Sequence, residues 1–282
     1  MTAVPVPTAP ATSVEPRHAD PSMLAVFRSA LRAELTKLWT VRSTMWSLLV
    51  TVAITVGLGA LFCAARVSRW DRLSPGERFR FDAAGFSLNG LFLAQLAIGV
   101  LAVLVISSEY ATGQIRATLG ATPQRLTVLA SKVLVFMAVT FVIGLVACFA
   151  AFGIGQSIFT AKHAGVSLSD PTVARAVIGG ALYLSVLGAF SIGLATILRR
   201  TAGAIAALVG ILLILPILTE FLPSPWNDNI RKFLPSEAGR GIFHVLSDRS
   251  GDLAPWTGFG LFFAYSVIML VAGAILLNRR DA

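Results

Sequence analysis

A polar stretch at residues 107–132 separates two long apolar segments and holds the most specific residue pattern in the chain. Glu109 is expected to carry the preceding helix into water, and a glycine then permits a break or a tight turn. A short amphipathic piece follows, and a Thr-Pro pair predicts the start of a helix with Arg125 and Lys132 on its wet end. The residues of this pattern are Glu109, Gly113, Ile115, Arg116, Leu119, Pro123 and Arg125. These residues predict a short structured amphipathic element, and a plain connector with a good cap is the alternative interpretation.

Catalytic and metal-binding patterns are missing from the sequence. No GxxxxGK[ST] phosphate-binding loop occurs, so the chain is not expected to hydrolyse ATP. No acidic or basic residue lies near the middle of an apolar segment, which argues against a proton-driven carrier and an intramembrane hydrolase. Cys63 and Cys148 lie inside apolar segments, and the three histidines are widely scattered. We therefore expect no cofactor, no metal site and no enzymatic activity in this chain.

The chain contains six apolar segments without Asp, Glu, Lys or Arg, and the polar stretch at 107–132 joins the second of them to the third. The mean hydropathy is +0.78, and 56% of residues are hydrophobic while only 13% are charged. Each segment has about the 20 residues that a helix needs to cross a hydrocarbon core. Continuous runs of this length favour helices over barrel strands, which alternate over roughly ten residues. The segments are 45–65, 86–106, 133–156, 176–198, 202–219 and 257–277, with a tight reversal predicted at 199–201.

The predicted fold class is therefore an all-α polytopic membrane protein with six transmembrane helices. Residues 1–21 are rich in Pro, Ala, Thr and Ser and lack the apolar core of a secretory signal, which predicts a disordered tail. Residues 22–43 predict an amphipathic interfacial helix, and residues 44–282 form the six-helix transmembrane domain.

The interfacial helix has an apolar stripe and a basic side. The stripe recurs at three- and four-residue steps and consists of Leu24, Phe27, Leu31, Leu35 and Leu38. Arg28, Arg32 and Lys37 lie off the stripe, and Trp39 is expected at headgroup depth. The alternative is a plain cytosolic extension of the first crossing.

Two further regions allow two interpretations each. The polar residues Asn89, Gln95 and Tyr183 either line a substrate path or make hydrogen bonds between helices. Asn89 and Gln95 would be about 120° apart on a helix, so they cannot both face one narrow lumen squarely. Residues 220–256 predict either two short helices that dip back into the outer leaflet or an amphipathic surface loop.

Charge distribution gives the orientation. An even number of crossings puts both termini on one side, and within five residues of the segment edges six Lys and Arg lie on that side against three opposite. This favours cytoplasmic termini. The net charge of +9 is explained by basic flanks that meet anionic membrane lipid, so no nucleic-acid partner is expected.

These features together resemble the ATP-binding cassette type 2 permeases over about residues 25–282. In that family the second crossing ends in Glu, followed four residues later by Gly, then by an apolar-rich stretch ending in Leu, a Pro, an Arg and a Lys. The matching positions are Glu109, Gly113, Ile115, Leu119, Pro123, Arg125 and Lys132. The basic amphipathic lead at 32–38 and the Arg-Arg-Asp end are similar to those of bacterial permeases of this group.

The resemblance implies a function that the residues alone do not reveal. The stretch at 107–132 would be a cytoplasmic coupling loop seated on a separate ATP-binding cassette ATPase subunit. Two permease copies would form an exporter in the bacterial plasma membrane. A non-transporting immunity or assembly factor with the same fold and a secondary carrier remain the alternative hypotheses, and the substrate is not readable from the sequence.

Overall fold

The computed structural model of this chain describes residues 23–114, 124–224, 226–246 and 251–279. Within these ranges it consists of helices and turns and contains no strand. The α-helices are α1 (Met23–Thr40), α2 (Arg42–Ser68), α3 (Pro75–Phe79), α4 (Ala83–Ser87), α5 (Leu91–Ala111), α6 (Arg125–Thr160), α7 (Pro171–Leu198), α8 (Thr201–Val209), α9 (Leu215–Thr219), α10 (Trp226–Arg231), α11 (Pro235–Arg240) and α12 (Pro255–Arg279).

Among the described residues, six helical segments are long and apolar enough to cross a membrane, which confirms the predicted all-α polytopic fold. They are α2, α5, α6, α7, the segment Thr201–Thr219 and α12. We call the end of the bundle with α1, the C-terminus of α5 and the N-terminus of α6 the near end. The far end carries the described residues 69–90, 161–170, 220–224, 226–246 and 251–254.

Helix α7 forms the centre of the bundle. It packs against α5, α6 and α12, and 83% of its most apolar window is buried, against 17% for Thr201–Thr219. Glycines permit these close approaches: a Cβ at Gly193 would lie only 2.7 Å from the Met269 carbonyl carbon on α12. Small residues at helix contacts are typical of membrane bundles, where lipid provides no hydrophobic drive for association.

Helix α1 packs along α6 and α2, and this divides its predicted apolar stripe. Leu38 is buried and Leu31 packs against the core, whereas Leu24 and Leu35 are 73% and 42% exposed. The residues of the stripe therefore do not all share one environment. Because α1 lies against the bundle on one side only, it presents apolar residues both inward to protein and outward.

The fifth crossing is interrupted. Helix α8 passes through a π turn at Gly210–Ile214 into α9, directly before Pro216. Proline lacks an N–H and its ring clashes with the carbonyl four residues earlier, so a widened turn at this point relieves the clash. The crossing begins after Arg199, whose left-handed φ of 55° ends α7 and confirms the tight reversal at 199–201.

The segment before the last crossing contains the two short helices that the sequence suggested, α10 and α11. Helix α11 packs against α12, and the 3-10 turn Gly241–Phe243 that follows it packs against α7. A Cβ at Gly239 would lie 2.7 Å from the rings of Phe262 and Tyr183. Tyr183 is about 18 Å along α7 from its far-end start, so α11 reaches well into the bundle.

Candidate functional site at the near end

Four charged side chains from three helices meet at the near end, and we call them the ionic cluster: Glu34, Lys37, Glu109 and Lys132. Lys132 Nζ lies 2.7 Å from Glu34 Oε2 and 2.9 Å from Glu109 Oε1. Lys37 Nζ lies 3.2 Å from Glu34 Oε1 and 3.0 Å from Glu109 Oε1, the oxygen that Lys132 also contacts. Each ammonium group therefore contacts both carboxylates, and two positive charges balance two negative charges.

The ionic cluster is largely shielded from solvent. The side chains of Lys132, Glu109 and Glu34 are 2%, 6% and 7% exposed, and that of Lys37 is 36% exposed. The predictions that Glu109 extends into water and that Lys132 lies on a wet helix end are therefore wrong. The physical reason is the tertiary contact of α1, which covers both residues and supplies their counter-ions. Mutual pairing of the opposite charges offsets the large cost of removing them from water.

Lys37 has a different role from the one that the sequence suggested. Burial alone would lower the pKa of Lys37, but hydrogen bonds and Coulombic attraction to Glu109 and Glu34 outweigh burial and raise the pKa above its ordinary value. Lys37 is thus a charged member of the cluster and not mainly a lipid-facing anchor. Arg28 and Arg32 are exposed, and Trp39 is 56% exposed, so these three remain available to a membrane surface.

A second set of contacts joins the start of α6 to the end of α12. Arg125 Nη1 donates a hydrogen bond of 2.8 Å to the Leu277 carbonyl oxygen, and Arg199 Nη2 donates one of 3.2 Å to the Leu276 carbonyl oxygen. The Arg199 guanidinium also lies 5.2 Å from the centre of the Tyr110 ring. The last carbonyls of a helix have no partner within the helix, so the two arginines complete the C-terminal turn of α12.

The predicted coupling loop is described only at its two ends. Gly113 follows α5 with a φ of 71°, a left-handed conformation that favours glycine, which confirms the predicted turn. Helix α6 begins at Arg125 with Gln124 as its N-cap. Four residues of the predicted pattern lie outside the described residues: Ile115, Arg116, Leu119 and Pro123.

The predicted polar residues of the crossings come together, but not as expected. Asn89, Gln95 and Tyr183 line one small cavity of about 20 Å³. The Tyr183 hydroxyl donates a hydrogen bond to Gln95 Oε1, and the Gln95 amide donates to the Phe92 carbonyl oxygen. Asn89 precedes α5 instead of belonging to it, so the argument that helix geometry keeps Asn89 and Gln95 apart is wrong.

At the far end, Asp82 joins the start of α4 to the segment that follows α11. Asp82 Oδ1 accepts a hydrogen bond of 2.8 Å from the Gly85 N–H, and Asp82 Oδ2 accepts one of 2.8 Å from the Val245 N–H. His244 Nδ1 lies 3.7 Å from Asp82 Oδ2. Burial alone would raise the pKa of Asp82, but the interactions with His244 and with the two backbone amides outweigh it and lower the pKa.

Glu34 is the member of the ionic cluster that the sequence pattern missed. Its position one turn before Lys37 marks a helical ion pair, which usually lies on a solvated face. No spacing in the chain shows that residues 34, 109 and 132 meet, because their contact depends on how α1 folds back on the bundle. Among the described residues, no group of three or more His, Cys, Asp and Glu side chains is arranged to hold a metal ion.

The chain matches a known protein family. A sequence model of the family described as ABC-2 family transporter protein matches residues 30–217, which is more than half of the chain and includes the whole ionic cluster. No curated protein matches the chain. Membrane proteins of this family are permease components that work with ATPase partners and are not themselves ATPases. The chain therefore belongs to the ABC-2 family of transporter proteins and is a multi-pass membrane permease subunit.

Proposed function

We propose that this chain is the membrane-spanning subunit of an ATP-driven exporter in the bacterial plasma membrane, energised by a separate ATP-binding cassette ATPase. The observation that carries the proposal is the ionic cluster. It ties α1 to the end of α5 and the start of α6, which are the two described ends of the stretch at 107–132 that the family resemblance assigns to the ATPase contact.

The cluster explains how a push at this segment reaches the membrane helices. A force on the coupling stretch at 107–132 acts on α5 and α6, whose ends are joined through Glu109 and Lys132 at 2.9 Å. Glu34 adds α1 to the same unit, and Arg125 adds α12 through the Leu277 carbonyl. The near end thus moves as one body of four helices, which a flexible connector would not allow.

Two arrangements of this body give alternating access. ATP binding closes the motor pair, shifts the near end and biases the crossings between an inward-facing and an outward-facing state. One carboxylate oxygen of the cluster, Glu109 Oε2, is buried and has no hydrogen-bond partner among the described residues. Buried acceptors of this kind are rare in native structures. In the proposed scheme, the second arrangement of the near end supplies a donor to this oxygen.

The near end faces the cytoplasm in this proposal. The ATPase segment and both termini lie there, and the count of basic residues at the segment edges favours it. Arg28 and Arg32 then meet anionic headgroups of the inner leaflet, with Trp39 at the interface. The proposal includes no nucleic-acid partner.

Two permease copies and two ATPase subunits form the complete transporter. Six crossings are few for a pathway, and the faces of the first, fifth and sixth crossings remain open: 28%, 17% and 22% of their most apolar windows are buried within the chain. These apolar faces are available to a second copy and to lipid. The cavity with Asn89, Gln95 and Tyr183 supplies the polar groups of the pathway.

Affinity purification and vesicle transport test the proposal. We expect the intact protein from its own membranes to bring down an ATPase with Walker motifs. In vesicles with both subunits, Glu109→Gln should lower ATP-dependent export at least tenfold while the ATPase still binds, because the buried residue positions the segment and does not itself contact the motor. Glu77→Gln, an exposed far-end change, is the matched control.

Other outcomes identify the rival functions. Recovery of no ATPase and absence of ATP-dependent flux would favour an immunity or assembly factor. Flux that follows an ion gradient instead of ATP would indicate a secondary carrier. Normal export by the Glu109→Gln variant would contradict the role of the ionic cluster.

A further inference from the structure

A cleft of about 220 Å³ opens at the far end, beside α10, α11 and the start of α12. It lies next to the small cavity that contains Gln95 and Tyr183. Glu237 and Arg240, both on α11, line the cleft and the cavity alike. These two side chains therefore stand on a polar route from the far-end surface into the interior of the bundle.

The acidic groups of the cleft are already paired. Arg231 Nη1 lies 2.9 Å from Glu237 Oε2, and Arg231 Nη2 lies 3.6 Å from Asp252 Oδ1. The Arg231 side chain is only 13% exposed, so its charge is committed to these carboxylates. Arg231 Nη1 also lies 3.8 Å from Glu220 Oε1, so an incoming anion would have to displace three carboxylate contacts to reach Arg231.

Arg240 is in a different position. Its Nη1 lies 3.3 Å from Glu237 Oε1, and in the part of the chain that the structure describes this is the one hydrogen-bonded contact of its side chain. A guanidinium has five N–H donors in a planar fork, so most of the Arg240 donors remain unused. The side chain is 29% exposed and borders the cleft, which lets a ligand reach these donors.

We propose that the far-end cleft binds an oxyanion group of an amphiphile, a phosphate or a carboxylate, with Arg240 as the anion-binding residue. The guanidinium fork matches two oxygens of such a group, and charge-assisted bidentate pairs are the strong ones. Glu237 can release Arg240 without being left as an unpaired buried charge, because it keeps the 2.9 Å contact with Arg231.

The position of the cleft indicates that the ligand is an amphiphile. Trp256 directly follows Pro255, which lines the cleft, and its side chain is 61% exposed. Tryptophan marks the depth of the headgroups in membrane proteins, so the cleft lies where the polar end of a membrane-bound molecule resides. The inference rests on the proposed transport function, in which the ligand is cargo on its way out.

Cysteine labelling in purified protein tests the site without ATP. Leu246→Cys places a thiol in the cleft, while the native Cys63 and Cys148 are buried. The protein is purified in a nonionic detergent, and the rate of maleimide labelling is measured with increasing dodecyl phosphate or inorganic phosphate. We expect dodecyl phosphate to slow labelling severalfold.

Variants assign the effect to the guanidinium. Arg240→Gln should raise the half-protective concentration of dodecyl phosphate about tenfold or more, since a charge-assisted bidentate contact is lost. Arg240→Lys should lie in between, because an ammonium retains the charge but not the fork, and it replaces the Gln variant if that variant does not fold. Arg72→Gln, an exposed arginine of the same end, should leave protection unchanged.

The two probes separate the sources of the oxyanion. Protection by dodecyl phosphate at concentrations where inorganic phosphate has no effect supports an amphiphile, and equal protection supports a free oxyanion at the same residue. Absence of protection by both probes, or an equal loss in Arg72→Gln and Arg240→Gln, would overturn the site. Because neither ATP nor the ATPase takes part, failure here leaves the export proposal untouched, and failure of export leaves this result standing.

Discussion

Lys132 Nζ lies 2.7 Å from Glu34 Oε2 although 98 positions separate the two residues in the chain. The pair joins the helix before the first crossing to the helix of the third crossing. Both side chains are more than nine-tenths buried, so the contact is shielded from solvent. A shielded ion pair holds its two helices in one register, and this makes α1 part of the membrane bundle and not a loosely attached lead.

Removal of Lys132 should destabilise the fold, because the buried carboxylates of Glu34 and Glu109 then lose one of their two counter-ions. We expect Lys132→Met to destabilise the protein by about 3–5 kcal/mol, because Glu34 and Glu109 then share Lys37 alone. The double variant Lys132→Met with Glu34→Met leaves the neutral pair Lys37 and Glu109 and should recover most of this loss. Denaturant unfolding in detergent measures both. If the losses of stability caused by the two single substitutions simply add in the double variant, the proposed coupling is contradicted. The control is Lys162→Met, which breaks an exposed ion pair and should change the unfolding midpoint little.

Two glycines of α12 should respond in opposite ways to alanine. A Cβ at Gly258 would collide with the Ala238 carbonyl oxygen of α11, whereas a Cβ at Gly260 has nothing within 4 Å. We expect Gly258→Ala to cost about 1–3 kcal/mol through overpacking. Gly260→Ala should be neutral or stabilising by up to about 1 kcal/mol, since alanine favours a helix. Thermal unfolding in detergent is the measurement, and equal melting temperatures would show that α11 is not packed in this way.

Stability should depend on the ionised form of Asp82. Its folded-state pKa lies below the ordinary value of 3.8, so the carboxylate stabilises the folded state above that pH. The stabilisation is lost as the pH falls through the lower folded-state pKa. We expect Asp82→Asn to melt below the wild type at pH 7, with a gap that narrows progressively at pH values under 3.8. A gap that is constant over this pH range would contradict the assignment.

The hydroxyl of Tyr183 distinguishes a pathway from a packing role. Tyr183→Phe removes the hydrogen bond to Gln95 and should cost about 1 kcal/mol of stability. Under the pathway proposal, ATP-dependent export in vesicles should fall severalfold. Tyr265→Phe, which removes a hydrogen bond to the Phe233 carbonyl at an exposed site, is the matched control. Unchanged export by the Tyr183 variant would mean that the polar residues only join helices.

The crossings were predictable because their signal is local. Runs of about 20 apolar residues report the bilayer directly, and the reversal at Arg199 follows from a length that one helix cannot have. The start of the second crossing could be predicted less accurately from the sequence. It was predicted at residue 86, but α5 begins at Leu91, because Gly90 packs directly against the backbone of Thr55 and the chain turns there. Only a contact between distant helices determines that turn.

The environment of the charged residues was not predictable for the same reason. Glu109 and Lys132 follow and precede apolar runs, a position that usually means contact with water. Their burial depends on Glu34, which approaches from another helix. The pattern around residues 109–125 nevertheless indicated the near end, where Glu109 and Lys132 meet, since local turn and cap preferences predict a structured connection even when its neighbours are unknown.

Helix α6 is 36 residues long and uninterrupted from Arg125 to Thr160. At a rise of about 1.5 Å per residue it is a rod of about 54 Å, much longer than a hydrocarbon core of about 30 Å. A rod that pivots about its middle by about 10° displaces each tip by nearly 5 Å, in opposite directions. At the tip remote from Lys132, Lys162 Nζ lies 2.6 Å from Asp71 Oδ2 in the loop after α2. Tilting of this single rod would therefore carry a movement on one side of the bilayer to the other, with its sense reversed and with no relay of side chains in between.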